Sequence, residues 1–368
     1  MLRAVALLLC LGPAVAGAVE TVRISMGTQD GVAEISARTL GFGPDSEDTL
    51  FTSLRSGRGM VTSAHGRLLL DGVPLPQPSV RFRAGEWARD AGTPGHEGIR
   101  VGELEVRGDV VVKLAGDKLL LINVLSLEEY LAAVLGGEMP VSFPDAALRA
   151  QAVAARTYAL RKKLESYGAD FHLGSSVLHQ VYGGLNREDP RTRAAVEATR
   201  GEVLTYELEP IEAYFHASCG GHTESGLSAL GRDLPYLQSV ECPCGRLPSS
   251  RWELTLSARE LKSALGTGAT SLEVVSRSET GRARRVRVGP DRTMDAVSLR
   301  ERLGYTRLKS LAFEVDRRSG RELHISGRGY GHGAGLCQWG AKVLADQGLD
   351  YHQILTHYYP GAELQKLY

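Results

Sequence analysis

The hydrophobic period of the chain changes at Ser126, and no other sequence feature limits the fold as strongly. Upstream, runs such as residues 21–25 and 102–108 alternate apolar and polar side chains between short turns, which is typical of antiparallel strands. The segment Ser126-Leu-Glu-Glu129 is a capping-box signature, and apolar residues then recur at helical spacing. The chain therefore predicts a mixed α+β fold, with a helical segment packed on β-rich surroundings.

Two helices are predicted directly after this change. The first is expected over residues 127–135, because Gly136-Gly137 provides a stop. The second is expected over residues 144–160, with a proline in its first turn. Glu138 precedes Met139-Pro140, and a proline disfavours helical backbone at the residue before it. Glu138 is thus predicted to stand on a tight connection between two helices, where a carboxylate can be held rigidly and still face a cleft.

The length of 368 residues suits two or three packed units. We predict an N-terminal β-rich module over residues 19–122 and a main domain over residues 123–364. A β-rich insertion is expected within the main domain, at about residues 252–325. It contains strand-like runs at residues 272–276 and 284–288.

The first residues have the pattern of an export signal. Met1-Leu2-Arg3 supplies a positive charge, residues 4–11 are apolar, and small residues follow. We predict a signal peptide over residues 1–18 and a soluble product in the periplasm, the cell envelope or the extracellular space, because no later segment is apolar enough to span a membrane. Lys+Arg and Asp+Glu both number 43, so no global field attracts a polyanion, and nucleic acid is not an expected partner.

Three cysteines lie close together in the sequence, at Cys219, Cys242 and Cys244, with His216 and His222 beside the first. Export favours a disulfide between Cys219 and Cys242 or Cys244. The density of sulfur and imidazole ligands also suits a structural zinc ion. The sequence leaves the disulfide and the zinc site as alternatives.

The stretch of residues 327–335 is rich in glycine but is not a nucleotide-binding fingerprint, because no βαβ unit with a well-placed acid surrounds it. Glycines there allow the backbone to approach a sugar chain or the loop of Glu138 closely. His332 has two interpretations, a core histidine that holds this loop or a ligand-facing side chain. Gln338 and Trp339 are a candidate polar donor and a candidate aromatic platform, although a tryptophan is more often buried.

Four ordered blocks of the chain together resemble one known family. The blocks are Glu138-Met-Pro with residues 143–158, His179-Gln-Val-Tyr-Gly-Gly184 with residues 195–206, residues 213–223 with residues 235–240, and residues 327–341 with residues 354–361. In this order they are similar to the SpoIID sporulation protein and LytB amidase-enhancer family. The resemblance covers about residues 120–364 and is weakest over the predicted insertion.

The resemblance implies a lytic transglycosylase that cuts the bond between N-acetylmuramic acid and N-acetylglucosamine in peptidoglycan strands, preferably strands without stem peptides. The family's catalytic acid corresponds to Glu138. One carboxylate suffices, because the substrate's own 6-hydroxyl attacks and leaves 1,6-anhydro ends, and no cofactor is required. The predicted substrate-binding residues within the blocks are Gln151, Arg156, Tyr158, Ser218, His332 and Gln338. Arg156 and Arg149, on the second predicted helix, are the candidates to pair with the lactyl carboxylate, and helix-surface salt bridges are the alternative.

Two other classes of function remain open. Amidase enhancers resemble the same family, so the protein could bind glycan and stimulate a separate cell-wall amidase without cutting. The cysteine and histidine cluster could instead belong to a zinc hydrolase, although thiolate-rich sites usually lack the open position that catalysis needs.

Overall fold

A computed structural model describes residues 20–46, 49–85, 98–174, 182–316 and 322–368. The predicted signal peptide lies outside the described residues. Within them, eight α-helices and several β-sheets are present. The predicted mixed α+β fold is therefore confirmed.

The first described part of the chain is built from strands. They are β1 (Thr21–Gln29), β2 (Val32–Ser36), β3 (Leu40–Gly43), β4 (Thr52–Leu54), β5 (Arg58–Ala64), β6 (Arg67–Leu70), β7 (Val73–Pro74), β8 (Ser79–Ala84), β9 (Ile99–Val101), β10 (Leu104–Val106), β11 (Asp109–Ala115) and β12 (Lys118–Ser126). Strands β10, β9, β2, β5, β6 and β7 form one sheet in that order. A second sheet contains β1, β12, β11, β8, β3 and β4. The second sheet leads directly into the first helix, because β12 ends at Ser126.

The helices follow from this point. They are α1 (Leu127–Glu138), α2 (Asp145–Glu165), α3 (Pro190–Ala198), α4 (Gly226–Leu230), α5 (Ala258–Leu265), α6 (Ala296–Leu303), α7 (Gln338–Asp346) and α8 (Tyr351–Tyr358). Helix α2 is central, since α1, α3, α7 and α8 all pack against it. Its buried alanines leave room for such close neighbours. No helix within the described ranges is long and apolar enough to cross a membrane.

Helix α1 is longer than predicted. It continues through Gly136-Gly137 and ends at Glu138, where the Met139 amide still donates to the Leu135 carbonyl. Gly136 serves close packing instead of termination, because a Cβ there would lie 2.1 Å from the carbonyl oxygen of Arg187. Glu138 is therefore the last residue of a helix and not part of a free connection.

The remaining strands follow α2 in the chain, and most of them form sheets of two or three strands. They are β13 (Leu173–Gly174), β14 (Glu202–Tyr206), β15 (Glu209–Pro210), β16 (Phe215–His216), β17 (Arg251–Ser257), β18 (Leu272–Arg277), β19 (Ala283–Val288), β20 (Arg292–Asp295), β21 (Phe313–Asp316), β22 (Glu322–Arg328), β23 (Leu336–Cys337) and β24 (Glu363–Lys366). Strand β13 joins the edge of the second N-terminal sheet beside β1. Strands β16 and β23 pair in parallel and place Phe215 opposite Leu336 and His216 opposite Cys337. This pair brings two distant blocks of the sequence together.

The described residues form two large hydrophobic clusters and a small third one on strands β11 and β12. The largest one runs from the N-terminal strands through α1, α2, α7 and α8. The second one is built entirely from residues between Trp252 and Ile325. The segment predicted as an insertion therefore has apolar packing of its own, which includes α5 and α6, while the N-terminal strands share a core with α1, α2, α7 and α8.

Candidate active site

Glu138 is held by the C-terminal end of α1. The helix is capped at its start by Ser126, whose hydroxyl accepts the Glu129 amide at 3.2 Å and donates to the Glu129 carboxylate at 3.0 Å. At its end, Glu138 is half-buried, Met139 is buried and Pro140 is exposed. The carboxyl group thus stands where the apolar interior meets the surface, on backbone fixed by a capped helix.

A buried tyrosine lies near this carboxyl group. Burial raises the pKa of Tyr130 well above its usual range, and the negative charge of Glu138 raises it further. The ring of Tyr130 packs on that of Tyr182, with the centroids 5.6 Å apart. Its buried hydroxyl has no hydrogen-bond partner among the described residues. Tyr130 therefore stays protonated at neutral pH, and it interacts electrostatically with the Glu138 carboxylate.

The start of α7 reaches the connection that follows Glu138. The ring of Phe143 meets the half-buried ring of Trp339 edge-on, with the centroids 5.0 Å apart. Next to this contact, the Gln338 amide donates to the Gln151 side-chain oxygen at 3.4 Å, and both glutamines are buried. These contacts join the first and last sequence blocks through α2.

His332 binds backbone on both sides of its ring. Its Nδ1 accepts the Ala334 amide at 3.1 Å, so the proton lies on Nε2, which donates to the Phe215 carbonyl at 3.0 Å. Desolvation lowers the pKa of His332 to about 4, and the ring is neutral at physiological pH. His332 thus holds the glycine-rich loop against β16, which corresponds to the first of its two predicted interpretations.

Arg156 lies in the core, which is at odds with the predicted contact to a substrate carboxylate. Its side chain is fully buried and donates to both carboxylate oxygens of Glu128, at 2.8 and 2.7 Å. Further bonds reach the carbonyls of Val196 and Glu202. A guanidinium that is enclosed in this way serves packing between helices and is not accessible to a glycan.

Two other predicted substrate ligands are also buried. The ring of Tyr158 packs edge-on against Tyr214 and Phe215. Ser218 is buried, and its hydroxyl donates to the sulfur of Cys244 at 3.5 Å. Most of the predicted substrate-binding residues are therefore buried and make contacts inside the protein.

Four cysteines meet in the interior, at Cys219, Cys242, Cys244 and Cys337. All four are buried free thiols, and their sulfur atoms lie within 4.8 Å of one another. The prediction from sequence missed Cys337, which joins the others through the β16–β23 pairing. No spacing pattern in the sequence indicates this contact.

Neither predicted histidine belongs to this group of ligand atoms. His216 Nδ1 lies 3.1 Å from the Ala334 carbonyl, and its ring packs against that of His332. His222 is exposed, with Nε2 3.9 Å from the Glu241 carboxylate. The two histidines flank Cys219 in the sequence, but their side chains have other partners.

Comparisons with known proteins define the class. Residues 115–206 match the sequence model of a family described as SpoIID, Stage II sporulation protein. The chain is 32% identical over 261 residues to Stage II sporulation protein D of Bacillus subtilis, covering 66% of this chain and 75% of that protein. It is 32% identical over 275 residues to an uncharacterized protein of Brachyspira hyodysenteriae, covering 73% of this chain and 74% of that protein.

A third relative carries a different name. The chain is 29% identical over 291 residues to the Amidase enhancer of Bacillus subtilis, covering 64% of this chain and 40% of that protein. These matches define the class, which comprises proteins similar to Stage II sporulation protein D and the Amidase enhancer. The chain belongs to the SpoIID/LytB family, and the predicted resemblance is confirmed.

Proposed function

We propose that this protein is an exported lytic transglycosylase that cleaves the bond between N-acetylmuramic acid and N-acetylglucosamine in peptidoglycan, with Glu138 as its acid and base. The observation that carries the proposal is the placement of Glu138. It is half-buried at the end of a capped helix, beside the buried Tyr130 and Met139, in the block that matches the family. An acid on rigid backbone at the border of the apolar interior is suited to general acid–base work.

The other carboxylates of α1 and of the start of α2 are engaged in structural contacts. Glu128 is buried against Arg156. Glu129 accepts from the Ser126 hydroxyl. Asp145 binds Arg191 at 2.5 Å. These contacts support a mechanism with one carboxylate, because a hydrolase would need a second one to activate water or to form a glycosyl intermediate.

In the proposed cycle, Glu138 donates its proton to the glycosidic oxygen as the bond to the muramoyl anomeric carbon breaks. The muramoyl 6-hydroxyl then bonds to that carbon and gives its proton to the Glu138 carboxylate. The acid is regenerated, no water is consumed, and the new muramoyl end is a 1,6-anhydro ring. Attack within one sugar replaces a bimolecular encounter with water.

Product chemistry tests this proposal. Purified protein is incubated in ¹⁸O-labelled water with denuded and with intact glycan strands, and the products are analysed by mass. Unlabelled muramoyl ends, lighter by one water molecule than hydrolysis products, are expected mainly from denuded strands. Labelled reducing muramoyl ends would overturn the proposal, and their loss in Asp145→Asn would identify Asp145 as the base of a muramidase.

The relative named Amidase enhancer favours a second candidate, a glycan-binding protein that stimulates a cell-wall amidase. This activity needs no cleavage by the protein itself. Its test is co-sedimentation with glycan strands together with the rate of an added amidase. Stimulation without new glycan ends would favour this candidate, whereas new ends in the absence of the amidase would favour the transglycosylase.

A further inference from the structure

We propose that Cys219, Cys242, Cys244 and Cys337 bind one zinc ion in a closed structural site. Their sulfur atoms all lie within 4.8 Å of one another, and those of Cys219 and Cys244 are 3.3 Å apart. A tetrahedral zinc ion with Zn–S bonds of about 2.3 Å places its sulfur ligands about 3.8 Å apart. The four thiols are therefore grouped around one centre of the right size.

Hydrogen-bond donors surround three of the sulfur atoms. The Cys337 sulfur, which caps the start of α7, accepts the amides of Cys219 and Gly340, each at 3.3 Å. The Ser218 hydroxyl donates to the Cys244 sulfur at 3.5 Å, and the Tyr358 hydroxyl lies 3.1 Å from the Cys242 sulfur. Metal-bound thiolates are held and oriented by such donors, and the N-terminus of a helix favours negative charge.

A buried guanidinium next to the cluster offers charge compensation. Zinc with four thiolates carries a net negative charge, since binding releases the thiol protons. Arg282 is 4% exposed and donates from Nη2 to the carbonyls of Cys219 and His222, at 2.7 and 3.1 Å. Its buried Nε and Nη1 have no hydrogen-bond partner among the described residues, and the Glu224 carboxylate is 3.8 Å from Nε. Glu224 supplies one buried counter-charge to Arg282, and an anionic metal centre would supply a second one.

The burial of the ligands assigns the site to structure and not to catalysis. Cys244 and Cys337 are fully buried, and Cys219 and Cys242 are 2% and 7% exposed. Helix α7 approaches so closely that a Cβ on Gly340 would lie 2.4 Å from the Cys242 sulfur. Four thiolate ligands leave no open position for water or substrate, which argues against a zinc hydrolase. The ion would instead link Cys337, at the start of α7, to the segment that contains Cys219, Cys242 and Cys244.

Metal content and thiol state test the site without any activity assay. The purified full-length protein is expected to contain about one zinc per chain by elemental analysis, a ratio set by the four-ligand site. All four buried cysteines should be alkylated after denaturation in chelator without reductant. Removing zinc with a chelator should lower Tm, and cobalt should restore it with the absorption of a tetrahedral thiolate complex.

Variants define the ligand set. Cys337→Ser and Cys244→Ser should lose the zinc, whereas the matched control His222→Ala should keep it. A native chain without zinc, in which alkylation under denaturing conditions finds two disulfides, would overturn the proposal even if the cysteine variants fail to fold. Because these readouts do not involve glycan, their failure is distinguishable from a failure of the proposed transglycosylase activity.

Discussion

The Arg156 guanidinium and the Glu128 carboxylate form a buried bidentate ion pair, with Nε to Oε1 at 2.8 Å and Nη2 to Oε2 at 2.7 Å. The pair joins α2 to the first turn of α1. The Tyr368 hydroxyl donates to the same carboxylate at 2.7 Å, so the end of the described chain meets the pair as well. Two helices that frame Glu138 are thus aligned by one buried contact.

Removal of one partner of this ion pair should strongly destabilise the fold. Arg156→Met leaves the Glu128 carboxylate buried without its counter-charge, which is expected to lower the free energy of unfolding by about 3–5 kcal/mol. Arg161→Met is the matched control, since Arg161 pairs with Glu165 at the surface and such pairs are worth about 0–1 kcal/mol. Urea unfolding of both variants checks the difference, and equal stabilities would contradict the structural role of Arg156.

The same pair should make stability depend on acid pH. Burial by itself raises the pKa of Glu128, but the hydrogen bond and charge of Arg156, with the Tyr368 hydroxyl, outweigh it and hold the pKa below the usual range. A carboxyl with a lowered folded-state pKa stabilises the fold above its unfolded pKa of about 4.3, and this contribution disappears as pH falls through the folded value. Glu128→Gln should therefore be less stable than wild type at pH 7 and approach it below pH 4.

Unfolding free energies of wild type and Glu128→Gln, measured from pH 7 to pH 3, check this behaviour. Two parallel curves over the whole range would mean that the Glu128 carboxyl has the same pKa in the folded and unfolded chain.

Substitution of the proposed acid should affect turnover alone. Glu138→Gln keeps the shape of the side chain but removes the transferable proton, so the rate of glycan cleavage should fall by about 10²- to 10⁴-fold. Tm and glycan binding should be unchanged. The control Glu129→Gln, on the same helix, should keep its activity. Full activity of Glu138→Gln would exclude this residue as the acid.

The packing of α1 predicts an unusual effect of a helix-favouring change. Alanine is normally better than glycine inside a helix by about 1 kcal/mol. At position 136, however, a Cβ would lie 2.1 Å from the Arg187 carbonyl oxygen, and forcing in extra volume costs about 1–3 kcal/mol. Gly136→Ala should therefore lower Tm. The control Gly268→Ala has no atom within 4 Å of its new Cβ and should leave Tm nearly unchanged.

Local patterns predicted the elements that local interactions determine. The alternation at residues 21–25 and the capping signature at Ser126 correspond to β1 and to the start of α1. Pro144 stands at the predicted start of α2, which continues to Glu165. In each case the signal lies within a few residues of the structure that it specifies.

Tertiary contacts decided what the sequence could not reveal. From the sequence, Gly136 is predicted to end the helix, but in the structure it allows the Arg187 carbonyl to pack closely against the helix. From the sequence, Arg156 is predicted to bind an anionic substrate group, but in the structure it pairs with Glu128, which lies 28 residues away in the chain. Cys337 joins Cys219 across 118 residues through a short parallel strand pair. None of these partners follows from periodicity, because each lies on a different element.

The tip of the β18–β19 hairpin limits how far this chain can be shortened without loss of its buried contacts. Its Ser278 and Thr280 hydroxyls each donate to the buried Glu224 carboxylate at 2.5 Å, and Arg282 reaches the carbonyls of Cys219 and His222. A truncated version without residues 252–325 would strip Glu224 of these donors and open the interior to solvent. Buried polar groups that lose their partners are costly. A shortened version of this protein would require the hairpin to be retained or Glu224 to be replaced by an apolar residue.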